Sequence, residues 1–130
     1  MSITAASRGD LRAYQDSVRL PTPELVARLR DLLGARLVAY VGSVKETRAV
    51  RQWAAGEREP SADVVRRLRT AYHAAALLAE KDSASVVAAW FQGMNPRLGD
   101  VAPARLLRDA ELDVAGPRVL AAARAFAAEG

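Results

Sequence analysis

Cysteine is absent from the 130 residues, which excludes disulfides and thiolate metal sites and suits a reducing compartment. Histidine occurs once, as His73, and a lone imidazole without cysteine offers no metal-ligand spacing. The pattern of its helix puts His73 beside Arg66 and Arg69 on the polar side, so an exposed side chain is expected there. No nucleophile or carboxylate pair is placed to use it. Glycines that could cradle a phosphate are missing too: Gly34, Gly42 and Gly56 stand alone as helix stops. No long apolar run follows a basic start, so neither a signal peptide nor a membrane span is expected, and the expected location is the cytoplasm. These gaps leave no catalytic residue, metal or cofactor to assign, and the chain does not read as an enzyme.

What is present favours helices. Apolar residues make up 51% and aromatic ones only 5%, with Ala and Leu dominant, and this composition predicts an all-α fold. The length fits one domain, or two small helical units sharing a continuous core. Charge is unevenly spread. Up to Thr70 there are 13 Lys/Arg against 8 Asp/Glu, a balance of +5, and from Ala71 onward 6 against 7, a balance of −1. A basic excess of this kind fits a nucleic-acid partner, and it fits plain solvated Arg faces equally well.

Residues 1–21 are polar and weakly patterned, and read as an N-terminal arm or as a short helix around Asp10 to Val18. Thr22-Pro23-Glu24 predicts a helix start, with Thr22 as the cap. Leu25, Leu29, Leu32 and Leu33 follow at helical spacing up to Gly34. Leu37, Val38 and Val41 form a second short stripe closed by Gly42-Ser43. A third segment, Val44 to Ala55, turns Val44, Val50 and Trp53 inward and is stopped by Gly56. Ser61 then caps the strongest helix, whose inner face is Val64, Leu68, Tyr72, Ala75 and Ala79. Beyond Lys81-Asp82-Ser83, Ala84 to Gln92 reads as a helix ended by Gly93. Met94 to Asp100 reads as a turn, Pro103 to Asp109 as a short helix, and Gly116-Pro117 as the start of an Ala-rich last helix.

A short helix, a glycine-containing turn and a second helix offering Arg, Lys, Gln and Thr is the arrangement that reads a DNA major groove. The run Arg48-Ala-Val-Arg-Gln-Trp-Ala-Ala-Gly-Glu-Arg-Glu-Pro-Ser61 resembles the Xre family of repressors. There a recognition helix ends in an aromatic residue and glycine, followed by a short charged loop and Pro-Ser. The resemblance implies that Ser43 and Lys45 hold phosphates while Thr47, Arg48, Arg51 and Gln52 face base edges. One departure stands out: counting back from Trp53, the turn glycine comes about two residues early. Either the turn is longer or the recognition helix starts sooner.

The second half extends the likeness. Trp90-Phe91-Gln92-Gly93-Met94-Asn95-Pro96-Arg97-Leu98-Gly99-Asp100, followed by Pro103-Ala104-Arg105-Leu106-Leu107-Arg108, resembles the toxin-binding domain of Xre/MbcA/ParS-type antitoxins. The combined likeness covers roughly residues 22 to 130. It implies an Xre-like helix-turn-helix domain over 22–82 and a C-terminal helical toxin-binding domain over 83–130. It also implies a cognate toxin of the RES class, whose NAD⁺-consuming active site the antitoxin covers. The toxin contacts would come from Arg124, Phe126, Glu129 and Gly130, and operator DNA would be bound by a homodimer within a toxin–antitoxin hetero-oligomer. The alternative is a free-standing Xre-like transcriptional regulator whose second half only dimerises. On residue type alone, Trp90 is expected in the core and Phe91 at a contact.

Overall fold

In the computed structural model, residues 5–129 are described, and among them the chain forms eight α-helices and no strand. The helices are α1 (Ala5–Arg19), α2 (Thr22–Leu33), α3 (Ala35–Val41), α4 (Thr47–Ala54), α5 (Ala62–Ala79), α6 (Ala84–Gln92), α7 (Pro103–Asp109) and α8 (Leu112–Glu129), with a 3-10 turn at Pro96–Leu98. The all-α expectation is met. Ser61 caps α5 by accepting a hydrogen bond from the amide of Val64 at 3.3 Å, and Gly56 takes the left-handed φ of 74° that ends the preceding segment.

Four boundaries differ from the sequence reading. Of the two readings of the first segment the helix holds, but it is longer than expected, 15 residues from Ala5 to Arg19, and packs along α5. Thr22 is the first residue of α2 rather than its cap, with Pro21 at the capping position and no side-chain cap bond. α4 begins only at Thr47, so Lys45 lies in the turn. α8 opens at Leu112, where the carbonyl of Glu111 accepts the amides of Val114 and Ala115 at 3.1 and 2.9 Å. Pro117 therefore sits inside the helix. Its ring faces solvent and its missing donor forgoes one bond, to the Asp113 carbonyl, without stopping the helix.

α5 is the hub, packing against α1, α2, α3, α6, α7 and α8. One hydrophobic cluster runs through both halves of the chain, from Leu25, Leu29 and Val38 through Leu68 and Leu78 to Phe91, Leu107 and Val119. Each such side chain contributes about 1.5–3 kcal/mol on burial. Small residues let the long helices approach: Ala71, Ala74 and Ala75 on α5 and Ala115 and Ala123 on α8 are all buried.

The hub's cations finish its neighbours' C-terminal turns, whose last carbonyls lack helical partners. Arg69 donates to the carbonyls of Ser17, in the last turn of α1, and Leu20, just past it, both at 2.9 Å. Arg67 donates to those of Leu107, in the last turn of α7, and Ala110, just past it, both at 2.8 Å. Lys81, just past α5, donates to Ala127 in α8 at 2.9 Å. Positive charge at a helix C-terminus also opposes the macrodipole favourably.

His73 corrects the sequence reading. It is 6% exposed because α1 covers the side of α5 that the residue pattern gives to solvent. Its Nε2 donates to Asp10 Oδ1 at 2.7 Å, and the Tyr14 ring lies 5.7 Å away, centroid to centroid.

Candidate functional site

Two surfaces qualify, and the first is built on α3 and α4. Val50 and Trp53 anchor α4 in the core, Trp53 being only 2% exposed. Gly42 is required by that anchor. A Cβ at position 42 would come within 2.9 Å of Trp53 Cη2 and 3.0 Å of Cζ3, too close for any other residue. The turn itself reverses at Ser43, which holds a left-handed φ of 57° at a cost of about 1–2 kcal/mol. Backbone bonds from Ser43 to Tyr40 and from Val44 to Ala39, at 3.1 and 3.0 Å, close it. The turn thus spans residues 42–46, and the early glycine belongs to a longer turn, not to an earlier helix start.

With about 100° per residue, this anchoring directs Thr47, Arg48, Arg51 and Gln52 to the side away from Trp53. Ser43, Lys45, Thr47, Arg48 and Arg51 are exposed and Gln52 is half-buried. Ser43, Lys45, Thr47 and Arg48 border one open hollow of ≈ 820 Å³. Lys45, Arg48 and Gln52 border a second of ≈ 420 Å³ with Arg58. Arg51 lines neither. Among the described residues, no carboxylate lies within 4 Å of Arg36, Lys45, Arg48, Arg51 or Arg58. Cations held apart from carboxylates on a rigid face can bind phosphate oxygens and offer paired donors to base edges.

The second surface is a hollow of ≈ 520 Å³ between the end of α6, the 3-10 turn and α8. Here the two neighbouring aromatics exchange the roles expected of them. Phe91 is fully buried, while Trp90 is half-buried and lines the hollow. Trp90 stands edge-on to Phe91 with centroids 5.1 Å apart and 6.4 Å from Phe126. The cause is helical period: Val87 and Phe91, four apart, form the inner stripe of α6 and rotate Trp90 outward. Met94 is 80% exposed at the rim. Arg97 Nη2 donates to Glu129 Oε1 at 3.0 Å, tying the turn to the end of α8. The turn is braced from within: Asn95 Oδ1 accepts the Arg97 amide at 2.9 Å, and Leu98 is buried beneath it.

The four residues expected at a toxin contact do not form one patch. Phe126 and Glu129 line the hollow. Arg124 points the other way, donating from Nε to Asp10 Oδ2 at 2.6 Å on α1. Gly130 lies outside the described residues. Burial alone pushes the Asp10 carboxyl up, but hydrogen bonds and charge from Arg124 and His73 outweigh it and hold the group below its ordinary value. Sequence reasoning missed Arg36, Arg58, Met94 and Arg97 as members of these surfaces. For Trp90 the signal existed in the Val87–Phe91 spacing.

No candidate metal cluster occurs among the described residues, and no described helix is long and apolar enough to cross a membrane. No family model, no curated protein and no solved structure matches the chain.

Proposed function

We propose that the chain is the antitoxin of a type II toxin–antitoxin pair. In this reading α3, the turn and α4 act as an Xre-like helix-turn-helix on operator DNA, and the C-terminal helices cover a RES-class, NAD⁺-degrading toxin. The observation that carries the reading is the cationic face of the turn and α4: Lys45 in the turn and Arg48 and Arg51 on a helix locked by Trp53 stand exposed and away from carboxylates. The fold has no evident need for those side chains. The ≈ 520 Å³ hollow of Trp90, Met94 and Phe126 supports the toxin half, since half-exposed aromatics beside an exposed Met are the usual anchors of a protein interface. Toxin class and homodimeric DNA binding come from the resemblance of the sequence motifs.

The DNA half is tested with the duplex immediately upstream of the reading frame. Arg48→Ala with Arg51→Ala is expected to weaken binding at least about fivefold, as removal of one or two bidentate base pairings worth about 1–3 kcal/mol each requires. Unchanged binding removes α4 from the DNA interface. Co-expression with the neighbouring reading frame tests the toxin half. A stable co-purifying protein whose NAD⁺ consumption is suppressed in the complex is expected, and a lone soluble chain with no partner overturns it.

A further inference from the structure

The sequence divides the molecule at Ser83 and assigns α7 to toxin binding, but the fold returns α7 to the front face. α7 packs against α3. The Arg108 guanidinium carbon lies 4.6 Å from the centroid of the Tyr40 ring on α3. Arg108 borders the same ≈ 820 Å³ hollow as Ser43, Lys45 and Arg48. Arg36 borders that hollow and also a neighbouring one of ≈ 380 Å³ whose other side carries Arg105. Cations from α3, the turn, α4 and α7 therefore form one continuous band.

The band is poorly neutralised. Glu46 is the one carboxylate lining the larger hollow, against Arg36, Lys45, Arg48 and Arg108. Asp109 alone serves both α7 arginines, at 3.9 Å from Arg105 Nε and 3.5 Å from Arg108 Nε, and one carboxylate offsets at most one of them. The cation–π contact with Tyr40 restrains the Arg108 guanidinium, and its nearest carboxylate contact, to Asp109, runs through Nε and not through its Nη groups. A guanidinium held against Tyr40 beside the recognition helix, instead of projecting from it, suits a backbone phosphate and not a base edge.

We propose that α7 supplies a second phosphate contact to duplex DNA, with Arg108 at its centre and Arg36 and Arg105 beside it. The DNA backbone would then be gripped by both halves of the chain. The inference rests on reading α3 and α4 as the DNA-binding surface. It goes beyond that reading by adding to the interface a helix that the motifs allot to another partner.

The test is fluorescence anisotropy of the full chain with a mixed-sequence 30-base-pair DNA duplex over a series of KCl concentrations. Removing one phosphate-binding cation lowers the steepness of log K against log[KCl] by about 0.9. Arg108→Gln is expected to reduce that slope by about this amount and to weaken binding about three- to tenfold at 0.1 M KCl. Arg108→Lys keeps the slope, and Arg118→Gln, at an exposed arginine of α8 that borders neither hollow, changes nothing. A slope reduced by Arg48→Gln but untouched by Arg108→Gln and Arg36→Gln overturns the inference and leaves the DNA reading standing. A wild-type chain that binds no duplex even at low salt overturns both. Should Arg108→Gln lower the melting midpoint, Asp109→Asn carries the test without removing the Arg108–Tyr40 contact. Freeing both arginines is expected to tighten binding about two- to fivefold, and unchanged binding counts against α7.

Discussion

The arginines of α5 and the cations between Arg36 and Arg58 carry the same charge at similar density, yet the fold employs them in opposite ways. Arg67 and Arg69 reach across the molecule to close the C-terminal turns of α7 and α1, and Arg66 pairs with Asp113 at 3.0 Å. Lys45, Arg48 and Arg51 are exposed and meet no carboxylate within 4 Å among the described residues. The aromatics Phe91 and Trp90 repeat the contrast one residue apart, the first in the core and the second on an open hollow. A basic excess becomes a functional argument only after the charges with intramolecular work are set aside. Here Arg36, Lys45, Arg48, Arg51 and Arg58 fall together in residues 36–58, beside α7, while Arg19, Arg30 and Arg118 are scattered over three other helices.

The aromatic pair gives the sharpest way to break the comparison. Phe91→Ala removes a fully buried ring and is expected to cost about 3–5 kcal/mol. Trp90→Ala, on a half-exposed ring, is expected to cost about 1–2 kcal/mol, because less apolar area returns to water. Urea unfolding of both variants measures the difference, and equal costs would mean that Trp90 is part of the core after all.

The two sets of cations should differ next. Arg67 is 15% exposed, and Arg67→Ala leaves the Leu107 and Ala110 carbonyls without their donor. Loss of charged hydrogen bonds in that setting costs about 2–3 kcal/mol. Arg48→Ala, on an exposed position with no intramolecular ion pair, should shift stability by less than about 0.5 kcal/mol. A large drop from Arg48→Ala would assign the α4 cations a structural job and weaken the case for a polyanionic partner.

How much of this was legible in the sequence follows the range of the interactions. Gly34 between α2 and α3, the Ser61 cap and the stop at Gly93 are local events, set by a few neighbouring residues, and all are where the sequence puts them. The outward face of α4 was equally legible, because Val50 and Trp53 fix its rotation by period alone. His73 was not, since its burial depends on α1, a helix far earlier in the chain that has no strong pattern of its own. Arg108 was not either: its place in the cationic band exists only once α7 has folded back on α3. Residues grouped by motif and residues grouped by space are different sets, and the division at Ser83 follows the first.

Asp10 extends the comparison to the back of the molecule, where Arg124 and His73 are committed to an intramolecular partner as the arginines of α5 are. Asp10→Asn removes the charge that both address, at 2.6 and 2.7 Å, while keeping the side chain's size. Arg124 is half-exposed, so solvent screens that part of the interaction, and the buried His73 side is the part that matters most. The expected cost at pH 7 is about 1–2 kcal/mol. Its pH dependence has a definite sign. The carboxyl is held below its ordinary 3.8 in the folded protein, so its contribution is fully present above that value and is lost as pH falls through the lower, folded one. Wild type and Asp10→Asn should therefore differ in urea midpoint at pH 7 and converge towards pH 2. A gap that persists undiminished in acid would show that the carboxylate's charge is not what joins α1 to α5 and α8.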